Sequence, residues 1–373
     1  MKTRGIILLL VCYSLIGLSQ NKITKSDSGA SVEEKGTAKN IILLIGDGMG
    51  VAHLYAGMVV NKEPLNIEKM RHIGLSKTNS ATDFATDSGA AGTALATGQK
   101  TFQKAIGVNI DTIPVKSILE IAEEHEKATG LIATSTITHA TPASFIAHQP
   151  IRYNYEEIAA DFLKTDIDVF IGGGLKHFND RKDGQDLTII LEENGYEVIT
   201  EPEGIFSSTS DKIAGLIYED SPPKYSDGRG EMLPKSTAKA IEILNRNSNG
   251  FFLMVEGSQI DWGGHDNNTA YIVEEMLDFD KTVGEALKFA EKDGNTLVIV
   301  TADHETGGMT INDGDLEKGE IQAKFTSFNH TGVMVPVFAF GPGSEDFCGI
   351  YENTEIFQKM KQAFGFTDKP TTE

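Results

Sequence analysis

The stretch that decides the fold is residues 40–50, which have the sequence NIILLIGDGMG. Residues 41–45 are all Ile or Leu and lead into Gly-Asp-Gly, a pattern typical of a buried parallel strand that runs into a tight turn. The turn carries Asp47 at the carboxyl end of the strand, where open α/β sheets place their ligands. One Gly-Asp-Gly is more often turn chemistry alone, so a role for Asp47 needs support from other strands.

Two later apolar runs end in the same kind of side chain. Residues 251–255 (FFLMV) are followed by Glu256, and residues 297–302 (LVIVTA) are followed by Asp303 and His304. Strands of this kind alternate with helical stretches along the chain, and each connection is long enough to cross over the sheet. The sequence therefore predicts an α/β fold, with a large, mainly parallel sheet sandwiched between helices and with metal-type ligands at one edge.

Composition bounds the class of protein. The chain has 373 residues, of which 40% are hydrophobic and 23% charged, so it is a globular protein with room for a sizeable core. Its formal net charge of −21 argues against a nucleic-acid partner or an anionic membrane surface. A small anion is compatible with this charge where metals or an arginine reverse the local potential.

The N-terminus predicts export. Residues 1–19 combine a short basic start with an apolar run, which is typical of a signal peptide and places the mature protein in the periplasm or outside the cell. Cys12 lies in this run and leaves a lipoprotein form open. The polar residues 20–39 predict a disordered tether, and residues 40–373 a single domain without stable membrane insertion. After cleavage Cys348 has no cysteine to pair with.

A segment of small residues supplies a candidate nucleophile. Residues 86–98 predict a tightly packed helix that opens at Asp87 or Ser88 and ends at Gly98. A serine at this place is usually an N-cap, and the alternative is a nucleophile in the positive field of the helix N-terminus. Arg152 is either a solvated surface charge or a residue whose guanidinium binds phosphate or carboxylate through two hydrogen bonds.

The next helix is expected between Thr112 and Gly130, opening with Pro114. The strand predicted after it, residues 131–137, leads into THATP at residues 138–142. This is another polar cluster at the end of a strand.

Taken together, the strand ends and following loops supply seven candidate metal ligands: Asp47, Glu256, Asp261, His265, Asp303, His304 and His330. A lone histidine is more often a core residue, but mixed His and carboxylate sets are typical of zinc. The oxygen ligands Asp47, Thr141 and Glu256 form a set that suits magnesium. A hydrolytic site with two metals needs a ligand that borders both, and the central Asp47 meets that need.

In their order and spacing, these motifs resemble those of bacterial alkaline phosphatases of the short secreted type, similar to those of marine and cold-living bacteria. The resemblance extends from residue 40 to about residue 364. The motifs that carry it are GDGMG (46–50), DSG (87–89), THATP (138–142), EGSQID (256–261) with His265, DHETGG (303–308) and His330.

The resemblance implies a role for each candidate and a family fold that is usually a homodimer. Ser88 would be the nucleophile that becomes phosphorylated, and Arg152 would clamp the phosphoryl oxygens of small phosphate monoesters and inorganic phosphate. Two Zn²⁺ ions and one Mg²⁺ ion are implied. One zinc would be held by Asp261, His265 and His330, the second by Asp47, Asp303, His304 and the Ser88 oxygen, and the magnesium by Asp47, Thr141 and Glu256.

Three residues depart from this pattern. His139 stands where some members carry a carboxylate, and Trp262 stands where some carry a basic residue, so we expect both to tune magnesium affinity and phosphate release. Thr306 stands where many relatives have a histidine, and we expect this change to remove a hydrogen bond near the metals.

Two other classes of function are open at this point. A phosphodiesterase or another hydrolase of the same superfamily would use a similar metal site. The serine motif lacks the Cys/Ser-x-Pro-x-Arg setting of sulfatases of this type. A secreted metal- or phosphate-binding protein would explain the ligands but would leave Ser88 without a role.

Overall fold

The computed structural model describes residues 37–366. The predicted signal peptide and most of the predicted tether, residues 1–36, lie outside the described residues. The last residues of that tether belong to the folded part, because Ala38 is buried and its N–H donates to the carbonyl of Ala363 at 2.7 Å. Between residues 37 and 366, no helix has both the length and the hydrophobicity that a membrane span requires.

The strands in this range are β1 (Asn40–Gly46), β2 (His72–Lys77), β3 (Ala128–Thr136), β4 (Val169–Gly173), β5 (Glu197–Ile199), β6 (Ile213–Tyr218), β7 (Phe251–Gly257), β8 (Thr296–Thr301), β9 (Glu305–Thr306), β10 (Thr310–Asp315), β11 (Glu320–Lys324), β12 (His330–Thr331), β13 (Val335–Phe340) and β14 (Gly349–Glu352).

The α-helices are α1 (Val51–Asn61), α2 (Ser88–Thr97), α3 (Ile118–Glu124), α4 (Ala140–Ala143), α5 (Tyr155–Asp161), α6 (Lys176–Asn179), α7 (Leu187–Glu193), α8 (Pro202–Ser207), α9 (Met232–Leu244), α10 (Gln259–His265), α11 (Thr269–Asp293) and α12 (Thr354–Phe364). Short 3₁₀ helices lie at Asn66–Lys69, Phe162–Lys164, Tyr225–Asp227 and Ser344–Phe347.

The main sheet of the described residues has ten strands in the order β14-β2-β13-β8-β1-β7-β3-β4-β6-β5. The strand β13 pairs antiparallel with both β2 and β8, whereas all other neighbours in this sheet pair in parallel. β13 therefore runs against the other nine strands. Two small antiparallel pairs, β10–β11 and β9–β12, lie outside this sheet.

Strand β1 shows why the sheet is covered on both faces. Ile41, Leu43 and Ile45 belong to one hydrophobic cluster, together with residues of α2, α3 and α12. Ile42 and Leu44 belong to a second cluster, with residues of α1, α9 and α11. Successive side chains of a strand point to opposite faces, so β1 is buried between two layers of helices. This confirms the predicted α/β sheet sandwiched between helices.

One predicted helix begins later than expected. Thr112 has φ of 62° and Pro114 forms an isolated bridge with Val108, so neither opens a helix. The helix α3 begins only at Ile118, because Ser117 caps it: the Ser117 hydroxyl accepts from the N–H of Glu120, whose side chain accepts from the N–H of Ser117.

Candidate metal centre and active site

The candidate ligands meet because four neighbouring strands, β8, β1, β7 and β3, run in parallel at the centre of the sheet. Ile45 of β1 lies opposite Glu256 of β7 on one side and Thr301 of β8 on the other. Asp47 and Asp303 each follow the end of their strand by a residue or two. The carboxyl edge of the sheet therefore collects three buried carboxylates.

A first cluster consists of Asp261 and His265, one turn apart on α10, and His330 of β12, with a ligand atom of each within 4.8 Å of the others. The Nε2 atoms of His265 and His330 lie 3.1 Å apart. Their Nδ1 atoms face the carbonyl oxygens of Phe328 at 2.6 Å and Thr86 at 2.8 Å, so each Nδ1–H donates to a carbonyl. This leaves two Nε2 lone pairs facing the same point, an arrangement that a cation stabilises.

A second cluster consists of Asp47, Asp303 and His304. The Nε2 atom of His304 lies 3.4 Å from Oδ1 of Asp47 and 3.3 Å from Oδ2 of Asp303. The Oγ atom of Ser88 lies 3.3 Å from the same nitrogen. The candidate nucleophile therefore borders the second cluster directly.

A third group consists of Asp47, Glu256 and His139. Ser258 donates to one oxygen of Glu256 at 2.6 Å, while the other oxygen has no hydrogen-bond partner among the described residues. Thr141, which is expected from the sequence to bind magnesium, is buried on α4, a few residues after the end of β3. Asp47 belongs to both the second and the third groups and is the shared carboxylate.

The electrostatics of these groups test whether metal ions fit. Burial raises the pKa of Asp47, and the negative charges of Asp303, Asp261 and Glu256 raise it further. Burial is likewise the main cause that raises the pKa values of Glu256 and Asp303. Both oxygens of Asp47 and one oxygen of Asp303 are buried without a hydrogen-bond partner in residues 37–366. Buried, unpartnered carboxylates are costly unless cations compensate them, so this donor set fits divalent metal ions.

The first cluster differs from the others because its carboxylate is paired. Burial acts to raise the pKa of Asp261, but His265, His304 and His330 together hold it below its usual range. The hydrogen bond to Asp261 in turn raises the pKa of His265 to about 9, so a proton on Nε2 of His265 competes with a cation for this lone pair.

Ser88 is the first residue of α2, and Asp87 is its N-cap, with a side-chain oxygen that accepts from the N–H of Ala90 at 3.2 Å. Of the two helix starts that the sequence allowed, the structure therefore selects Asp87 as the cap. The Ser88 hydroxyl is not used for capping and faces His304 at the positive end of a ten-residue helix.

Arg152 is not a solvated surface charge, because its side chain is only 11% exposed. Its Nη1 donates to Oδ2 of Asp87 at 3.0 Å, and its Nη2 donates to Nε2 of His139 at 3.1 Å. Burial opposes the charge of Arg152, but Asp87 keeps its pKa raised. The sequence motif DSG contains Asp87, yet sequence reasoning saw in it only a possible helix start and missed that it links the candidate nucleophile to the arginine.

A cleft of about 550 Å³ opens above Ser88 and Arg152. His139 and Trp262 line it with their rings edge to face, 6.4 Å between centroids. Lys104 and Tyr153 also line the cleft, and sequence reasoning missed both. Tyr153 follows Arg152 directly, which is a weak signal, whereas no motif marks Lys104.

Thr306, which stands where many relatives have a histidine, has hydrogen-bond partners of its own near the metal-type ligands. Its hydroxyl donates to Oδ1 of Asp261 and lies 3.2 Å from Nδ1 of His304, so it connects residues of the first and second clusters. A short side chain serves here because Thr306 packs against α10, within reach of Gly264.

Comparison with known proteins gives the family of the chain. The sequence model of the alkaline phosphatase family matches residues 38–324 and 315–366. Alkaline phosphatase 4 of Bacillus subtilis (strain 168) is 35% identical, over 90% of this chain and 91% of that protein.

Solved structures give the same family. Alkaline phosphatase from the Antarctic bacterium TAB5 is 44% identical, with a TM-score of 0.85 over 90% of this chain and 100% of that chain. A His-to-Asp variant of the TAB5 enzyme, with Mg bound in its M3 site, has the same identity, TM-score and coverage. The family match spans almost the whole described chain and the fold agrees with these structures over 90% of the chain, so this protein belongs to the alkaline phosphatase family.

Proposed function

We propose that the protein hydrolyses phosphate monoesters through a phosphoserine intermediate on Ser88. The observation that carries this proposal is the position of the Ser88 hydroxyl. It lies 3.3 Å from Nε2 of His304, beside the second cluster of ligands, in a cleft that it shares with Arg152. Phosphoryl transfer needs a nucleophile, a metal-type site and a guanidinium group that can bind phosphate, and this cleft contains all three.

The three clusters are assigned to three ions. One Zn²⁺ would be held by Asp261, His265 and His330, and a second by Asp47, Asp303, His304 and the Ser88 oxygen, because imidazole and carboxylate together suit zinc. One Mg²⁺ would be held by Asp47, Thr141 and Glu256, whose oxygen ligands suit it. When bound, the ions supply Lewis-acid chemistry, which favours deprotonated oxygen nucleophiles and offsets the charge of phosphate.

The side chains of this chain then carry out two transfers. In the first, the Ser88 hydroxyl gives up its proton, Oγ attacks phosphorus to form a P–O bond, and the bond to the leaving oxygen breaks; the leaving oxygen takes up a proton. In the second, water gives up a proton and attacks the same phosphorus, the bond to Ser88 breaks, Oγ of Ser88 regains a proton, and inorganic phosphate is released. Arg152 would donate to the phosphoryl oxygens in both steps, held in orientation by Asp87.

Only the phosphoryl group is gripped in this scheme, so broad specificity for small monoesters is expected. His139 and Trp262 are assigned to tuning, because both line the cleft beside Arg152. The bound magnesium of the TAB5 variant supports a magnesium site in this family.

We assign the protein to the periplasm or the extracellular space, in keeping with the signal peptide predicted at residues 1–19. The net charge of −21 supports a small-molecule substrate rather than a nucleic acid. A homodimer without stable membrane insertion is the assembly that we propose.

The alternative is a phosphodiesterase or another hydrolase of the same superfamily, since the cleft has room for more than a phosphate group. Turnover of phenyl phosphate, diphenyl phosphate and phenyl sulfate by the metal-loaded enzyme separates the candidates. We expect phenyl phosphate to be preferred, and acid-quenched enzyme to carry a phosphate on Ser88 by mass spectrometry. Preference for the diester or the sulfate, or phosphate on another residue, would overturn the proposal.

A further inference from the structure

Lys104 and Tyr153 border the candidate active site but have no part in the proposed reaction. Both side chains are exposed, whereas Ser88 is buried at the bottom of the same cleft. The Nζ atom of Lys104 lies 5.7 Å from the centroid of the Tyr153 ring. The two residues therefore form one edge of the opening.

The backbone of Lys104 is held firmly against the site. Its N–H donates to Oδ1 of Asp87 at 2.9 Å, and its carbonyl accepts from the N–H of Arg152 at 2.7 Å. Its φ of 72° lies in the left-handed region, where glycine is favoured and a lysine is costly. The backbone of Lys104 is thus strained and is hydrogen-bonded both to Asp87, the cap of α2, and to Arg152. Strained backbone of this kind is often found at functional sites.

The charge of Lys104 is available to a ligand. Among the described residues, the cleft is lined by one arginine, Arg152, and one lysine, Lys104. Arg152 is paired with Asp87, whereas Lys104 forms no ion pair with any residue in the range 37–366. In a chain of net charge −21, a cation at the opening is a local exception that attracts anions.

The direction of the leaving group follows from the depth of the site. With a phosphoryl group at Ser88 and Arg152, the inner side is closed by buried carboxylates, so the ester group extends toward the opening. We infer that Lys104 and Tyr153 form a leaving-group subsite that favours monoesters carrying a second anionic group, such as bisphosphates. This inference rests on the proposed function.

The test compares phenyl phosphate with benzene-1,4-diyl bisphosphate, using kcat/KM of the metal-loaded enzyme at low salt. The variant is Lys104→Asn, because Asn tolerates the left-handed conformation and removes the charge. We expect the variant to lose about three- to fivefold more kcat/KM with the bisphosphate than with phenyl phosphate, as for one solvent-exposed ion pair. Its thermal unfolding temperature should be no lower than that of the wild type.

The matched control is Lys62→Asn. Lys62 is the C-cap of α1, has φ of 63° and does not line the cleft. The substitution Lys62→Asn therefore removes the same charge from the same backbone conformation, but away from the cleft. We expect this control to leave the ratio of the two kcat/KM values unchanged. An equal loss on both substrates in Lys104→Asn, or a matching shift in the control, would overturn the subsite. Absence of phenyl phosphate turnover by the wild type would instead overturn the proposed function.

Discussion

Arg152 donates from Nη2 to Nε2 of His139 at 3.1 Å, so the single lone pair of this imidazole is already in use. Burial, followed by the charge of Arg152, lowers the pKa of His139 to about 3, and the ring is therefore neutral. The proton must then be on Nδ1, which is buried without a partner. His139 thus offers no free electron pair to a metal ion, although it lies beside Asp47 and Glu256.

The first prediction is that His139→Asp lowers the magnesium concentration needed for half-maximal activity. A carboxylate beside Asp47 and Glu256 can bind magnesium directly through an oxygen, or accept a hydrogen bond from another ligand of the magnesium ion. The neutral imidazole of His139 does neither. We expect a shift of about tenfold, within the range seen when a residue next to a metal site is changed. The measurement is a magnesium titration of dialysed enzyme. His139→Asn, which lacks the charge, is the control, and an identical shift in it would contradict this reading.

A second prediction concerns Trp262, whose indole lines the cleft and has no positive charge. Trp262→Lys should tighten inhibition by inorganic phosphate about tenfold, because a charged donor would be added near the phosphate. If phosphate release limits turnover, kcat should fall in the same variant. The inhibition constant of phosphate is the measurement, with Trp262→Met as the uncharged control. Unchanged inhibition by phosphate in the lysine variant would show that this position does not contact the product.

The third prediction is that strong chelation abolishes activity and lowers the melting temperature. Asp47, Asp303 and Glu256 are buried close together, and without cations their mutual repulsion acts against the folded state. Zinc with magnesium should restore both properties. Calorimetry and phenyl phosphate turnover measure them, and chelator saturated with zinc beforehand is the control. Full turnover by stripped protein would contradict the metal assignment.

Much of the site could be predicted from the sequence because its ligands follow strands. Asp47 and Asp303 come just after apolar runs, and parallel strands place such ends at the same edge of the sheet, where these two meet because β1 and β8 are neighbours. Asp261 and His265 are four residues apart, which places them on one side of a helix. These relationships depend on local periodicity, which the sequence shows directly.

Other features depend on long-range contacts that no local pattern records. Lys104 reaches the site only because Asp87 and Arg152, distant in sequence, hold its backbone. Thr306 makes its hydrogen bond to Asp261 because β9 places it beside α10. The start of α3 was missed because Ser117 with Glu120 makes a stronger helix start than Pro114.

A fourth prediction concerns stability at a site far from the metals. Burial raises the pKa of Glu123 from 4.5 to about 7, despite hydrogen bonds from Thr129 and from the N–H of Asp166. The folded protein therefore holds this proton more tightly than the unfolded chain does. Its stabilising contribution is complete below pH of about 4.5 and is lost as pH rises through about 7.

Glu123→Gln should accordingly gain stability relative to the wild type as pH rises from 5 to 8. The measurement is the difference in the free energy of unfolding between variant and wild type at each pH. Glu124→Gln, at the exposed neighbouring position, removes the same charge and is the control. A difference that stays constant with pH in Glu123→Gln would contradict the raised pKa.

The last prediction separates chemistry from helix capping at Ser88. Because Asp87 is the cap of α2, Ser88→Ala removes no capping hydrogen bond, so the variant should fold and should still bind zinc through the remaining ligands. Its kcat should fall on the order of a thousandfold, as expected when a nucleophile is lost. Some hydrolysis should remain, since water can attack phosphorus directly in the assembled site.

The matched control is Ser117→Ala, which removes a serine that does cap a helix. Its hydroxyl accepts from the N–H of Glu120 and donates to the carbonyl of Phe145, so its loss should cost about 1 kcal/mol or more of stability while kcat is kept. Calorimetry and turnover on both variants therefore give opposite patterns. If Ser88→Ala retains near-normal turnover, Ser88 is not the nucleophile and hydrolysis proceeds by direct attack of water. If the variant unfolds, the separation of chemistry from structure at Ser88 is wrong.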